Sequence, residues 1–389
     1  MKKKILIIVL SNLAQDARVR RQVEALKKHF QVTVACFGAP AGPDYNVVTL
    51  PPARLTFWRK SVSGFFLLVG LYRKAHHILH HYGQYLSGAL KGETYHLIVA
   101  NDVETLPIAF ELAKSAPVFF DAHEYAPRHF ENKLMWRIFF QRFNVWLCRK
   151  YIPRVAGMTT VGRMLAVEYH KHFGVMPTVI TNANNYVDVN PSPVTDGRIR
   201  LVHHGIATPS RNLHLMIEMM QTLDARFSLD MYLLKPGFAS KQTADYIREL
   251  THQAARDPRI RILPPLPGSE IVKALNQYDI GVFLLPPVNF NYRNTLPNKL
   301  FDFLQARLGI AIGPTPEMAE IVSQYQIGVI STDFSANSLA GALKKLSTVE
   351  IEKFKLNAAR AAADLNAENN EKILLEMINR ILGKTKTSF

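Results

Sequence analysis

Short apolar runs recur along the chain, and each is followed by a longer stretch with helical spacing of its apolar positions. Buried parallel strands have the first pattern, and the helices that cover them have the second. In the first half the predicted strands are Lys4–Leu10, Gln31–Phe37, Val47–Leu50, His96–Ala100, Val118–Asp121 and Gly157–Val161. In the second half they are Arg198–His203, Phe227–Leu234, Ile260–Leu263, Asp279–Leu285, Gly309–Ile312 and Gly328–Ile330. This alternation predicts an α/β protein with two doubly wound, Rossmann-like parallel sheets.

The length and one Pro-, Ser- and Gly-containing segment divide the chain into domains. A chain of 389 residues exceeds one ordinary core and suits two domains. The segment 190–197, NPSPVTDG, has the composition of a linker. We therefore predict one domain over residues 1–190 and a second over 198–365. Residues 366–389 are predicted to form a helix that packs back toward the first domain.

The stretch Pro297–Val322 carries the strongest chemical signal in the second half. Its sequence, PNKLFDFLQARLGIAIGPTPEMAEIV, predicts a helix, a buried strand, a Gly-Pro-Thr-Pro turn and a second helix. Asn298 or Pro297 caps the first helix, whose apolar face includes Leu300 and Phe301. Open α/β sheets bind phosphorylated ligands at such helix starts, where backbone N–H groups are unpaired. The carboxylate of Asp302 suits ribose hydroxyls, so the combination indicates a nucleotide.

The loops that follow the strands of the first half carry the other candidate residues. Asn12 follows the first strand, Asp102 the fourth, and His123 with Glu124 the fifth. Asp16 is predicted to cap the first helix, with Arg18, Arg20 and Arg21 on its outer side.

The net charge of +16 is concentrated in the first half. Residues 1–190 carry 24 Lys and Arg against 12 Asp and Glu, a charge of +12, and the remainder carries 23 against 19, a charge of +4. Such asymmetry predicts an anionic partner, either lipid head groups or nucleic acid. The segments 57–85 and 135–154 interleave aromatic residues with cations, including Arg137, Arg142, Arg149 and Lys150. This pattern favours an anionic membrane surface; alternatively, the aromatics are core residues and the cations are only solvated.

Several other classes of site and location are disfavoured. Cys36 and Cys148 have no metal-ligand spacing and are expected to be reduced core residues. His203 and His204 lack accompanying ligands, so no metal is expected. The absence of Gly-x-Gly-x-x-Gly disfavours a dinucleotide oxidoreductase. No apolar run reaches the roughly 20 residues of a membrane span, which predicts a cytoplasmic protein, peripheral at the inner membrane face.

Taken together, the motifs resemble those of the retaining "group 1" glycosyltransferases, which have the GT-B fold and are similar to family 4. The segment Asp16–Val19 is similar to the family's first-helix signature, and His123-Glu124 to its His-Asp pair. Tyr278–Ile280 resembles its Asp-led strand, and Pro297–Asp302 its donor helix. The resemblance covers nearly the whole length and implies two Rossmann-like domains with an inter-domain cleft.

The family's donor-binding residues carry over in part. Gly205 and Arg211 match a Gly and a cation that hold the donor diphosphate, but Ile206 stands where Arg is usual. Asp302 matches the glutamate that binds the ribose. The acidic residue expected eight positions earlier, which contacts the sugar, is replaced by Asn294.

The resemblance implies transfer of a sugar, with retention, from a nucleotide diphosphate, with UDP as the expected nucleotide, to a glycan or lipid-linked acceptor in bacterial cell-surface polysaccharide synthesis. The implied catalytic residues are His123, Glu124, Arg211 and Lys299, and His123 contacts the donor sugar. The implied donor-binding residues are Gly205, Arg211, Asn298, Lys299, Leu300, Phe301 and Asp302. The implied acceptor-binding residues are Asn12, Asp16 and Asp102.

No metal or other cofactor is expected, because helix N-termini and cations can stabilise the leaving phosphate. Two other functions stay open. One is a UDP-sugar epimerase of the same fold, and the other is a non-enzymatic basic scaffold that binds a membrane or nucleic acid. Nucleic acid is not the expected partner, because the cations do not form a recognition helix.

Overall fold

A computed structural model describes residues 2–52, 55–195, 197–235 and 241–384. Asp196 of the predicted linker and residues 385–389 of the predicted last helix lie outside the described residues. By its internal contacts the chain forms two units. Unit 1 comprises residues 1–181, 289–291 and 370–389, and unit 2 comprises residues 182–288 and 292–369.

The strands and helices follow in alternation. The strands are β1 (Lys4–Ile8), β2 (Gln31–Cys36), β3 (Asn46–Thr49), β4 (Leu97–Asn101), β5 (Val118–Ala122), β6 (Gly157–Thr160), β7 (Thr178–Val179), β8 (Ile199–Ile206), β9 (Phe227–Leu234), β10 (Ile260–Leu263), β11 (Ile280–Phe283), β12 (Gly309–Ile312) and β13 (Gly328–Ile330). The helices are α1 (Ala17–Lys27), α2 (Phe57–Leu68), α3 (Tyr72–Leu79), α4 (Tyr82–Ala89), α5 (Leu106–Leu112), α6 (Leu134–Trp136), α7 (Arg142–Tyr151), α8 (Arg163–Phe173), α9 (His214–Thr222), α10 (Lys241–Ala254), α11 (Ile271–Leu275), α12 (Phe290–Arg293), α13 (Asn298–Gln305), α14 (Pro316–Tyr325), α15 (Ala336–Lys344), α16 (Thr348–Asp364) and α17 (Ala367–Lys384). A π-helical segment, Arg137–Gln141, joins α6 to α7.

Each unit contains one parallel sheet. The strand order in unit 1 is β3-β2-β1-β4-β5-β6-β7, and in unit 2 it is β10-β9-β8-β11-β12-β13. In both sheets the order reverses beside the first strand, between β1 and β4 in unit 1 and between β8 and β11 in unit 2. Ligands of open α/β sheets bind outside the carboxyl ends of the strands at this reversal point. The predicted pair of Rossmann-like α/β sheets is confirmed.

The core of unit 1 explains the apolar runs of its strands. Ile5 and Ile7 of β1 are fully buried, and they share an apolar cluster with Leu374 and Ile378 of α17. The last helix therefore belongs to unit 1 from residue 370 onward. Cys36 and Cys148 are free and buried, as expected for core residues.

The division between the units falls earlier than the predicted linker. Residues 182–189 belong to unit 2 because their backbone is anchored there. The Val187 amide donates to Gln305 Oε1 at 3.0 Å, and Arg307 donates to the Val187 carbonyl at 2.7 Å. In contrast, residues 289–291 belong to unit 1, where the Asn291 side chain accepts from the Tyr125 amide at 2.9 Å.

The helices of the predicted interfacial segments are short and amphipathic. Within the described part of the chain, no helix combines the length and the apolarity that crossing a membrane requires. Several large apolar side chains on α2 and α6 are nevertheless exposed, including Phe57 at 85% and Trp58 at 74%.

Candidate functional site

The reversal point of the sheet in unit 2 is marked by the end of β8. His203 in this strand donates from Nδ1 to the Val282 carbonyl of β11 at 2.9 Å, because a carbonyl oxygen can only accept. Burial lowers the pKa of His203 well below its usual range, so the ring is neutral. Gly205, two residues later, has a φ of 133°, a conformation essentially restricted to glycine.

Gly205 allows two cations to lie close to the backbone. A methyl group built on Gly205 would lie 3.0 Å from Lys299 Nζ and 3.7 Å from Arg211 Nη1. Lys299 is therefore a neighbour of Gly205 and Arg211, which precede it by more than eighty positions and were predicted with it as donor ligands. Neither Arg211 nor Lys299 is within ion-pair distance of a carboxylate among the residues that the structure describes.

Lys299 is a buried lysine whose ammonium group has little in the described chain to stabilise its charge. Its Nζ is buried and finds no hydrogen-bond partner in the described chain, and it lies 3.9 Å from the centre of the Phe283 ring. Burial lowers the pKa of Lys299 well below its usual range, the charge of Arg211 lowers it further, and Asp302 acts in the opposite direction. Such a group favours an anion, because a bound phosphate would restore its charged form.

Asp302, the predicted ribose ligand, is buried on α13. Its Oδ1 accepts a hydrogen bond from Asn184 Nδ2, and its Oδ2 lies 3.2 Å from His204 Nε2. Asn184 therefore orients the carboxylate, and the His204 ring lies beside it without a hydrogen bond to it. The ribose contact stays a prediction.

The start of α13 partly matches the predicted anion site. Pro297 is the N-cap residue, and no side chain caps the first turn. Leu300 was predicted to bind the donor, but its amide donates to the Pro297 carbonyl at 3.1 Å because the first turn is tight. The exposed Asn298 and the amide of Lys299 remain as candidates. Phe301 places its side chain in the core of unit 2.

One buried polar residue near this edge of the sheet, Thr315, was not singled out from the sequence. Thr315 follows β12 and precedes α14, and its buried hydroxyl finds no hydrogen-bond partner among the described residues. The Gly-Pro-Thr-Pro turn was a signal for this position, because threonine before a helical proline is a frequent N-cap. Asn294, which replaces the acidic sugar contact, is buried.

In unit 1, His123 lies just beyond β5 in a group of polar residues. Its Nδ1 is 3.3 Å from Asp102 Oδ2, and its Nε2 is 3.6 Å from Asp121 Oδ2 and 3.2 Å from Asn101 Oδ1. Burial lowers the pKa of His123, but the two carboxylates outweigh burial and raise it to about 9. His123 is therefore an imidazolium at neutral pH and is suited to donate hydrogen bonds rather than to accept a proton.

The polar group around His123 contains an ion pair between Arg18 and Asp121. This ion pair shows that the prediction for Arg18 was wrong. Arg18 was expected on the outer side of α1, but its guanidinium turns inward and binds both Asp121 oxygens, at 2.9 and 2.6 Å. Thr159 also donates to Asp121, at 2.8 Å. Burial would raise the pKa of Asp121, but Arg18 and His123 hold it well below its usual range.

Two further predicted residues line the same edge. Asp102 has a φ of 64°, a left-handed conformation that non-glycine residues adopt rarely and often at functional sites. Glu124 is half-exposed, and its Oε2 lies 2.7 Å from His129 Nε2. Burial raises the pKa of the neighbouring Glu104 to about 7, with a further contribution from Asp102. His129 and Glu104 were not identified from the sequence, because only the fold brings them to this edge.

The remaining predicted acceptor residues lie in the loop after β1. Asp16 caps α1, with Oδ1 accepting from the Val19 amide at 3.1 Å and Oδ2 from Ser11 at 2.8 Å. The predicted cap is confirmed, and the acceptor role of Asp16 stays a prediction. Asn12 is exposed, and its Oδ1 accepts from the Ala14 amide at 3.0 Å. Across the described ranges, no three His, Cys, Asp or Glu side chains group as a metal site would require.

Comparisons with known proteins give structural matches only. No family model and no curated protein matches the sequence. HepE of Anabaena, in complex with UDP and glucose, matches with a TM-score of 0.67 at 14% identity over 97% of this chain and 100% of that chain. Sucrose-phosphate synthase of Thermosynechococcus elongatus matches with a TM-score of 0.75 at 12% identity over 98% of this chain and 100% of that chain. An α,α-trehalose-phosphate synthase (UDP-forming) of Burkholderia vietnamiensis matches with a TM-score of 0.71 at 11% identity over the whole of both chains. The chain thus has the fold of these enzymes, and at such identities the likeness concerns the fold alone.

Proposed function

We propose that this protein is a glycosyltransferase that takes a sugar from a nucleotide diphosphate donor. The observation that carries the proposal is the position of Arg211 and Lys299, two cations without a carboxylate partner among the described residues, beside Gly205 at the reversal point of the unit 2 sheet. This is where an open α/β sheet binds the phosphates of a nucleotide. A bound pyrophosphate would supply the negative counter-charge that neither side chain finds among the described residues.

The same residues account for the chemistry. As the bond between the sugar and the diphosphate breaks, negative charge develops on the leaving phosphate. Arg211, Lys299 and the N-terminus of α13 stabilise this charge, which is the role that a metal ion has in other enzymes. We propose that the reaction needs no metal and proceeds with retention, with the leaving phosphate assisting deprotonation of the acceptor.

The donor is proposed to be a UDP-sugar. HepE has been solved with UDP-glucose as well as with UDP and glucose, which supports uridine as the base. Asp302 is the proposed ligand of the ribose hydroxyls, and Asn184 orients its carboxylate by a hydrogen bond. His123, held as an imidazolium, is the proposed hydrogen-bond donor to the transferred sugar. The acceptor is proposed to be a glycan or a lipid-linked molecule, in bacterial cell-surface polysaccharide synthesis.

The proposal is tested by titration calorimetry with UDP. We expect Arg211→Ala and Asp302→Ala each to weaken UDP binding at least about tenfold, because each removes a charged contact worth about 1.5–3 kcal/mol. Arg360→Ala, which removes an exposed cation from α16, is the matched control and should bind UDP like the parent. If both site variants bind UDP as tightly as the parent, the pocket is assigned wrongly.

Membrane association is proposed to involve an apolar patch on unit 1. The patch consists of the exposed side chains Phe57, Trp58, Phe65 and Leu68 of α2, and Leu134, Met135 and Ile138 of α6 and the π-helical segment. Helix α2 and the π-helical segment are in contact, because a methyl group built on Gly64 of α2 would lie 3.5 Å from the ring of Phe139 in that segment. The nearby exposed cations Lys60 and Lys133 suit anionic lipid at the inner face of the membrane.

We expect the double variant Phe57→Ser/Trp58→Ser to lose most of its flotation with vesicles that contain anionic phospholipid. The reason is that insertion of these two side chains supplies apolar burial that serine cannot replace. The control is Val349→Ser/Leu356→Ser, which removes exposed apolar side chains from unit 2. Equal flotation of the two double variants would contradict a role for the patch.

A further inference from the structure

Unit 1 contains a cavity of about 890 Å³ that none of the predicted site residues lines. This volume lies within the range of about 300–1,000 Å³ that is typical of small-molecule sites. Its walls come from α7, from α8 and from Tyr125 and the residues just after it. Tyr125 follows His123 by two positions, so the cavity lies at the end of β5 that carries the candidate sugar-binding histidine.

The cationic side of the cavity lacks counter-charges. Arg142, Arg149 and Lys150 lie on one face of α7 at helical spacing and line the cavity. In the part of the chain that the structure describes, none of the three lies in an ion pair with a carboxylate. Three like charges this close repel one another unless an anion lies between them.

The other charged lining residues are Arg128 and Glu168, and each lies close to one other ionisable side chain. Arg128 is paired with Glu131 at 2.5 Å, and Glu168 lies 3.2 Å from His172. The excess positive charge of the cavity therefore comes from the three cations on α7.

The lining of the cavity also includes aromatic and apolar side chains. The Trp146 ring lies 5.7 Å from that of Tyr72, and Lys150 Nζ lies 4.8 Å from the centre of the Trp146 ring. Val145 and Phe173 complete the apolar lining. Cations beside an aromatic ring suit a molecule that joins an anionic group to an apolar one.

We propose that this cavity binds the phosphate group of the acceptor, with the apolar portion of the acceptor against Trp146. The acceptor role rests on the glycosyl transfer proposed above, whereas phosphate binding by the cavity does not. The phosphate has two chemical sources, a lipid-linked diphosphate or a water-soluble phosphorylated sugar. From the sequence, Arg142, Arg149 and Lys150 were interpreted as membrane contacts. Because they line a cavity, the structure favours a bound ligand instead.

The test uses Trp146 as a local reporter. The chain has three tryptophans, and the background Trp58→Phe/Trp136→Phe leaves only Trp146. In this background we expect saturable changes of fluorescence with farnesyl diphosphate. The triple variant Arg142→Gln/Arg149→Gln/Lys150→Gln should weaken this binding roughly 30-fold, about threefold for each exposed charge contact.

A matched triple variant controls for net charge. Arg20→Gln/Lys91→Gln/Lys114→Gln removes three exposed cations of unit 1 that do not line the cavity, and it should alter the affinity less than about threefold at physiological salt. Equal effects of the two triple variants, or equal binding of farnesol and farnesyl diphosphate, would overturn the proposal.

Two further titrations distinguish the two sources of the phosphate. They also distinguish the phosphate-site proposal from the glycosyltransferase proposal. Tighter binding of farnesyl diphosphate than of inorganic pyrophosphate supports the lipid-linked source. Equal binding supports the soluble source and contradicts the contact between an apolar portion and Trp146. UDP calorimetry on the α7 triple variant should match the parent. If the parent binds farnesyl diphosphate through α7 but does not bind UDP, the glycosyltransferase proposal fails and the phosphate site stands.

Discussion

Replacing Lys299 by Met is expected to raise the stability of the protein and, at the same time, to abolish most of its activity. The ammonium group is buried without a hydrogen-bond partner among the described residues and lies near Arg211, so burial disfavours its charge. Methionine has a similar shape and no charge. We therefore expect the free energy of unfolding to rise by about 1 kcal/mol. Release of UDP from UDP-glucose should fall by about 10²–10³-fold, as for loss of one transition-state contact.

Lys355 provides the matched control for this prediction. It is the other buried lysine of unit 2, but it is satisfied, because it donates to the Tyr278 carbonyl at 2.7 Å and to Ser192 at 2.9 Å. It also lies 3.5 Å from the buried Asp279. Lys355→Met should therefore lower the free energy of unfolding by about 3 kcal/mol and leave the UDP affinity of the folded protein unchanged.

The two variants are compared by urea unfolding and by UDP-glucose turnover. Opposite changes in stability, together with a loss of turnover only for Lys299→Met, would support the role of Lys299 as a cation kept for an anionic ligand. If Lys299→Met instead destabilises the protein as Lys355→Met does, Lys299 has a structural role.

His123→Ala is expected to have a second large effect, one that depends on pH. The folded-state pKa of His123 is raised from 6.5 to about 9, so its ion pairs stabilise the fold fully below about pH 6.5. That contribution is lost as the pH rises through 9. A shift of this size corresponds to about 3 kcal/mol. The stability difference between parent and variant should therefore be about 3 kcal/mol larger at pH 6 than at pH 10.

The same variant separates binding of the nucleotide from turnover of the sugar. His123 is proposed to contact the sugar and not UDP, so UDP affinity should be unchanged while UDP-glucose turnover falls about 100-fold. Urea unfolding at both pH values and UDP calorimetry provide the readouts. A stability difference that is the same at pH 6 and pH 10 would show that His123 is not held as an imidazolium.

The sequence was most informative where local pattern alone determines structure. Short β-branched runs predicted strands such as β1 and β12, because a strand buried on both faces is apolar along most of its length. The cap at Asp16 followed from the residue that precedes an amphipathic stretch. The two-residue strand β7 was missed because it is too short to produce a pattern.

Contacts between distant residues could not be predicted from pattern. Arg18 looked like an outer residue of α1, yet it pairs with Asp121, more than one hundred positions away. The tight first turn of α13 uses the amide of Leu300, a residue that was predicted to bind the donor. The resemblance to the glycosyltransferase family indicated a shared role in donor binding for Gly205, Arg211 and Lys299, and the structure shows that they are neighbours. The cavity lined by Arg142, Arg149 and Lys150 had no sequence signal beyond basic residues at helical spacing.

The central claim is that the carboxyl edge of the unit 2 sheet binds the diphosphate of a nucleotide sugar. A crystal structure of the protein with UDP tests it most directly. The account predicts a phosphate oxygen within about 3.2 Å of Lys299 Nζ or of the Arg211 guanidinium, beside Gly205. UDP bound elsewhere on the chain, or bound here with both cations directed away from its phosphates, would contradict the account.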